Sequence, residues 1–149
     1  MKLGGIECGG TKFICAVGDE FGNIEQELVI TTTTPEETLN KVIEFYKINK
    51  VQKIGIGSFG PVEINKNSNN YGSILDTPKV EWSNFNIIKY LQKEINVPMT
   101  INTDVNVAAL AEIKVGNSKD LNNILYITIG TGIGVGAIID NKIINGVNH

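Results

Sequence analysis

The chain has 149 residues, with 13 Lys+Arg against 16 Asp+Glu, a single histidine, a formal net charge of −3 and 42% hydrophobic residues. That length allows one domain, or one and a piece of the next, and the composition is that of a chain that buries a core rather than a disordered one. The acidic balance and the complete absence of arginine argue against nucleic acid or an anionic membrane as partner; no apolar run approaches the ~18 residues of a membrane span, two cysteines are too few for a disulfide scaffold, and Met1–Gly10 lacks a leader pattern, so the expectation is a cytoplasmic α/β protein.

Lys2–Cys8 is short and apolar-rich and ends in Gly9-Gly10-Thr11-Lys12, a turn signal. Phe13–Val17 resumes the apolar pattern, Gly18–Gly22 is a second turn, and Ile24–Thr32 reads as a third strand, so three strands form an antiparallel meander. Thr34, Pro35 and Glu36-Glu37 form a helix start: a cap, a proline in the first turn and acids at the positive end. Leu39, Val42, Ile43 and Tyr46 follow at helical spacing. Lys53–Phe59 is a buried strand ended by Gly60-Pro61, and Asn65–Asn70 is a polar loop. Asn86–Ile95 is predicted as a second helix, Met99–Thr103 as a strand and Asp104–Val115 as a third helix. After the polar connector Gly116–Asn123, Leu125–Ile129 and Val135–Ile139 are two strands around Gly130-Thr131-Gly132-Ile133-Gly134. The order βββ-α-β-α-β-α predicts a mixed sheet with helices on both faces, followed by a second, similar ββ opening. The expected division is residues 1–120 as a first lobe and 121–149 as the incomplete start of a second.

Three segments carry candidate chemistry. In Glu7-Cys8-Gly9-Gly10-Thr11-Lys12, a Gly-Gly turn lets backbone N–H groups approach an anion. Thr11 adds a hydroxyl, Lys12 a point charge, and Glu7 could hold magnesium directly or through water. The same residues would also serve as an ordinary hairpin. In Ile129–Gly136, glycine at every second place strips side chains from one face, which calls for something to approach the backbone; a nucleotide phosphate fits, and so does close packing of the hairpin. In Asn102–Glu112, Asp104 stands where a strand should end and a helix begin, a place where ligands bind in α/β sheets. Its carboxylate could serve as a general base, or Asp104 or Asn106 could merely cap the helix. Cys8 and Cys15 fall out of register across the first hairpin, Cys15 being opposite Ile6, so a disulfide is not expected.

Together these segments resemble the ROK family of repressors, uncharacterised reading frames and kinases, within the actin-like, ribonuclease-H-like ATPases. Glu7–Lys12 looks like its first phosphate motif, Asn102–Glu112 like its catalytic-aspartate motif and Ile127–Gly136 like its second phosphate motif. Gly4-Gly5-Ile6-Glu7, Gly57-Ser58-Phe59-Gly60-Pro61, Asp76-Thr77-Pro78-Lys79 with Trp82, and Asn145–His149 resemble the bacterial fructokinase branch. The resemblance implies that Asp104 deprotonates a sugar hydroxyl for attack on ATP. It implies that Gly9, Gly10, Thr11, Lys12, Gly130, Thr131, Gly132 and Gly134 surround the phosphates. Glu7 would support Mg2+, and Gly60, Pro61, Thr103, Asp104 and His149 would face the sugar. It also implies a homodimer. The expected activity is phosphorylation of a hexose, foremost fructose, with little turnover from this chain alone. The alternatives are glucose, mannose or N-acetylmannosamine as substrate, or a sugar- or nucleotide-binding remnant without turnover. The sequence departs from the family with Glu at position 7 where Asp is commoner, Thr103 where glucokinase-like members have Asn, and Glu81 before Trp82 where Gly is expected. The family's cysteine-rich zinc motif is not in this sequence.

Overall fold

The computed structural model describes residues 1–130 and 132–146. β1 (Leu3–Cys8), β2 (Lys12–Gly18) and β3 (Ile24–Thr31) form the predicted meander, with β1 paired antiparallel to β2 from Leu3↔Gly18 to Cys8↔Phe13. β4 (Lys53–Ser58) adds parallel to β1, and β5 (Met99–Thr103) adds parallel to β4, so the strand order is β3-β2-β1-β4-β5. Parallel neighbours need a crossover. The first is α1 (Pro35–Ile48) and the second contains α2 (Ile87–Leu91). Thr34 caps α1 by accepting from the Glu37 N–H, and Pro35 lies in its first turn, as the sequence predicts.

The predicted second helix is longer than the observed one. Lys93 and Glu94 donate to carbonyls three residues back, at Tyr90 and Leu91, so the helix tightens into turns after Leu91. Its apolar stripe is buried nonetheless, including Ile95. The connection between β4 and α2 holds structure that periodicity missed. Val62 and Ile74 pair across it, and Val80–Trp82 is a single 3₁₀ turn. Trp82 is 2% exposed, stacks within 5.2 Å of Phe13, and donates from Nε1 to the Thr33 carbonyl.

Strand alternation sorts the sheet's two faces. Ile6, Cys8, Phe13, Cys15, Ile54 and Ile56 point to the side covered by α1 and α2 and form the main core. Tyr46 of α1 reaches into it, and its Oη lies 2.7 Å from the Gly5 carbonyl and 3.1 Å from that of Ala16, bridging β1 and β2. The opposite face carries Gly5, Glu7 and Gly57, and α3 (Asp104–Lys114) packs there over β4 and β5.

A separate three-stranded sheet comes next in the chain: β6 (Ile124–Ile129), β7 (Ile133–Ile139) and β8 (Lys142–Ile144), in that order and antiparallel. β8 lies beyond the two strands predicted. The inner face of this sheet rests on α3, where Ile138 joins Ala109 and Ile113 in a second, small core with Ile124, Tyr126 and Ile143 against it. Its outer face presents Leu125, Ile127, Ile129, Ile133 and Val135, with Ile129 80% exposed. A continuous apolar strand face open to water is an association surface. The isolated chain is therefore expected to self-associate, and Leu125→Lys with Ile127→Lys to shift it toward monomer in multi-angle light scattering. A wild-type chain that stays monomeric at high concentration would contradict this.

Gly136 pins the two sheets together. A Cβ added there would collide with the Val105 carbonyl, and one at Gly134 would lie 2.9 Å from Val105 Cγ1. Gly136→Ala must push β7 off α3, at a cost of about 1–3 kcal/mol. Hydrogen exchange should show lost protection across β6 and β7, while β1–β5 stay protected; uniform protection would refute the wedge.

Candidate functional site

The hairpin between β1 and β2 turns at Gly10-Thr11. The Gly9 N–H donates to the Lys12 carbonyl at 3.0 Å, which closes the turn. Thr32, just past β3, binds the turn from outside: its Oγ1 donates to the Gly9 carbonyl at 2.8 Å and its N–H to the Thr11 carbonyl at 3.0 Å. Two carbonyl oxygens that would repel an anion are thus engaged. The Gly10 and Thr11 N–H groups have no hydrogen-bond partner among the described residues. Thr11 and Lys12 are exposed beside them. The turn therefore offers donors and a positive charge to solvent, the chemistry of an anion site.

Asp104 is the first residue of α3, at the end of β5. The cap, however, is Thr103, whose Oγ1 accepts from the Asn106 N–H at 3.3 Å. This corrects the reading in which Asp104 or Asn106 caps the helix. Thr103 holds that position because its extended backbone ends the strand while its side chain turns inward, leaving it 8% exposed. Asn106 is buried as well, and its Nδ2 donates to Asn102 Oδ1 at 2.8 Å, tying the helix's first turn back to β5. Asp104 is half-buried and its Oδ1 accepts from the Val105 N–H at 2.8 Å.

Register brings Glu7 to the same cleft. Glu7, Gly57 and Asn102 stand abreast on β1, β4 and β5, all facing the α3 side. Gly57 carries no side chain, and a Cβ there would lie 3.2 Å from Val107 and 3.5 Å from Asp104 Cα. A cavity of about 490 Å³ opens here, lined by Glu7, Gly57 and Asp104 from one side and by Tyr126 and Thr128 of β6 from the other. Among the described residues no group of three or more His, Cys, Asp or Glu side chains could hold a metal. Two carboxylates on one cleft fit Mg2+, which keeps waters and phosphate oxygens as its other ligands, and do not fit a closed protein cage.

The glycines of the second hairpin divide in two. Gly134 and Gly136 are accounted for by the contact with α3. Gly130 and Gly132 have open space where a Cβ would be, so packing does not explain them. The Gly130 N–H donates to the Gly132 carbonyl at 2.9 Å. Thr131 and His149 lie outside the described residues.

Gly60 follows β4 and is exposed, and Gly60-Pro61 is a cis peptide. The Pro61 carbonyl accepts from the Leu75 N–H at 2.7 Å, which ties it to the Trp82 loop. A second hollow of about 610 Å³ lies by β5, lined by Glu63, Asn65, Lys66, Asn102 and Asn145. Asn102 belongs to the catalytic-aspartate motif and Asn145 to the Asn145–His149 segment of the sequence analysis; Glu63, Asn65 and Lys66 carry no spacing signal for a site.

Cys8 and Cys15 are both free and buried, and Cys15 pairs with Ile6, as the hairpin register predicts. Burial pushes the Cys15 thiol up from about 9 to about 12 and, with the neighbouring Cys15, raises Cys8 as well. The neutral thiol is thus favoured in the folded chain. Its stabilisation is complete below pH 9, where unfolded thiols are also neutral, and is lost as pH rises from 9 toward 12. Urea midpoints should fall above pH 9, and Cys15→Ala, although less stable at pH 8, should show a shallower fall. Equal slopes would contradict a buried neutral thiol.

The sheet order, with helices on both faces and a second sheet opening behind α3, defines an actin-like ATPase lobe. The chain belongs to the ROK family, whose sequence pattern matches residues 3–149. It is 46% identical over 149 residues to a fructokinase of Pediococcus pentosaceus, covering 100% of this chain and 52% of the relative. A fructokinase of Lactococcus lactis subsp. cremoris is also 46% identical over 149 residues, with 50% of its length covered. Among solved structures, a ROK family glucokinase from Streptomyces griseus in complex with glucose and AMPPNP superposes with a TM-score of 0.85 at 27% identity, over 99% of this chain and 47% of that one. The chain thus spans about half the length of the relatives it matches. No helix among the described residues is long and apolar enough to cross a membrane.

Proposed function

We propose that this chain supplies the first lobe, residues 1–120, and the opening of the second, residues 121–149, of an ATP-dependent hexose kinase acting on fructose. The observation that carries the reading is convergence at one end of the sheet. Glu7 and the open Gly10-Thr11 turn lie at the C-terminal end of β1, and Asp104, from a distant part of the sequence, lies at that of β5. The names of the 46%-identical relatives support fructose as the sugar.

In this reading the Asp104 carboxylate accepts the proton of a sugar hydroxyl. The hydroxyl oxygen then bonds to the terminal phosphorus of ATP as the bond to the bridging oxygen breaks and ADP leaves. Mg2+ with ATP supplies charge neutralisation on the phosphates. Glu7 would hold it, directly or through water. Gly9, Gly10, Thr11 and Lys12 bind the phosphate chain from one lobe; Gly130, Thr131 and Gly132 bind it from the other. Thr103 acts by positioning: its cap on α3 frees the Asp104 carboxylate from that job. Gly60, Pro61 and His149 complete the sugar side, and the amide-rich hollow by Asn102 supports a polyhydroxy ligand there. A cytoplasmic homodimer is part of the proposal and rests on the family resemblance.

The test is coupled ADP release with fructose, mannose, glucose and N-acetylmannosamine, on this chain and on one continued through the length of its relatives. Turnover is expected in the longer chain, with fructose preferred. Asp104→Asn there should lower kcat at least ~100-fold while fructose binding by calorimetry stays near normal. A near-normal rate would reduce Asp104 to a structural residue. Nucleotide binding without turnover on any sugar would favour a sensing role.

A further inference from the structure

We propose that Lys79 is a second phosphate-binding lysine, placed over the Gly10-Thr11 turn to grip the polyphosphate chain of the nucleotide. This rests on the phosphate role proposed for that turn and adds to it a residue from a different part of the chain.

The placement begins with Trp82. Its ring is enclosed by Phe13 at 5.2 Å, Phe59 at 5.9 Å and Phe85 at 6.1 Å, and its Nε1 is bonded to Thr33. That anchor fixes the 3₁₀ turn, because the Trp82 N–H donates to the Lys79 carbonyl at 2.8 Å. The backbone of Lys79 is therefore held one turn from a buried aromatic, although it belongs to an exposed loop. From there its side chain reaches Gly10: a Cβ on Gly10 would lie 3.2 Å from Lys79 Cε. The ammonium is one bond further on. The end of the Lys79 side chain is therefore at the Gly10-Thr11 turn, whose two N–H groups are unpartnered among the described residues.

The charge around it points the same way. The described ion pairs are the Met1 amine with Glu20, Lys2 with Glu25, and Lys47 with Glu94. Neither Lys12 nor Lys79 takes part in one, in a chain with more acids than bases. An anion bound at the turn would be attracted by both ammonium groups. The chain has no arginine, so a phosphate contact by a side-chain cation in this lobe must come from lysine. Gly10 fits the same geometry, since a Cβ there would press on Lys79 Cε and the stem would have to give slightly.

The competing role for Lys79 is to shield Gly10 with its methylene stem. Methionine keeps the stem and removes the charge, so Lys79→Met separates the two. Tripolyphosphate is titrated into the 149-residue chain, followed by calorimetry and by amide shifts in 15N spectra. The wild-type chain should show shifts at Gly10 and Thr11. Lys79→Met should bind about tenfold more weakly with an unchanged melting temperature, and added salt should narrow the gap. Equal affinity in wild type and Lys79→Met would overturn the proposal. If Lys12→Met then loses binding, the phosphate role of the turn survives without Lys79. If tripolyphosphate moves no amide of residues 9–12 in the wild-type chain, both this inference and the phosphate reading of the turn fail.

Discussion

The N-terminus of α3 is wedged between two sheets by missing side chains. On one side Gly57 lets β4 approach Val107 and Asp104; on the other Gly136 lets β7 approach the Val105 carbonyl. Both contacts fall within the helix's first turn. That turn is further tied by the Thr103 cap and by Asn106 bound to Asn102. The layout of the cleft depends on this clamp. It places the second sheet against α3, opens a cavity between the sheets, and holds Asp104 at the cavity wall without using its carboxylate as the cap.

A second anchor acts at the opposite side of the sheet's end. Trp82 sits among Phe13, Phe59 and Phe85, and through it the long connection between β4 and α2 is anchored beside the hairpin turn. The two anchors are independent, one built from glycine contacts and one from aromatic packing. The turn donors, Lys79 and Asp104 belong to the segments beside these anchors. The proposed phosphoryl transfer would ask little covalent chemistry of the protein and much positioning.

Much of the fold was legible beforehand. The meander, the Thr34 cap with Pro35, the strand at Met99–Thr103 and the helix from Asp104 all come from local rules of turn, cap and period. Their determinants lie within a few residues of one another. The end of α2, the Val80–Trp82 turn and β8 were not legible, because what decides them is contact with distant segments. The glycines of Ile129–Gly136 show the limit well. Alternation in sequence says that something approaches the backbone, and only the structure separates Gly134 and Gly136, approached by α3, from Gly130 and Gly132, which face open space.

Residue type and short spacing suffice for the βββ-α-β-α-β-α order, the family resemblance and a set of candidates for acid, base and phosphate chemistry. Which residues come together is a matter of long-range pairing and packing. Parallel pairing of β1, β4 and β5 sets Glu7, Gly57 and Asn102 abreast; no local pattern encodes that register. Packing also gave the helix cap to Thr103 and brought Lys79 to Gly10 from a distant part of the chain. The cause is common to all of these: a side chain's role is set by what burial forces against it, and burial joins segments that the sequence keeps apart.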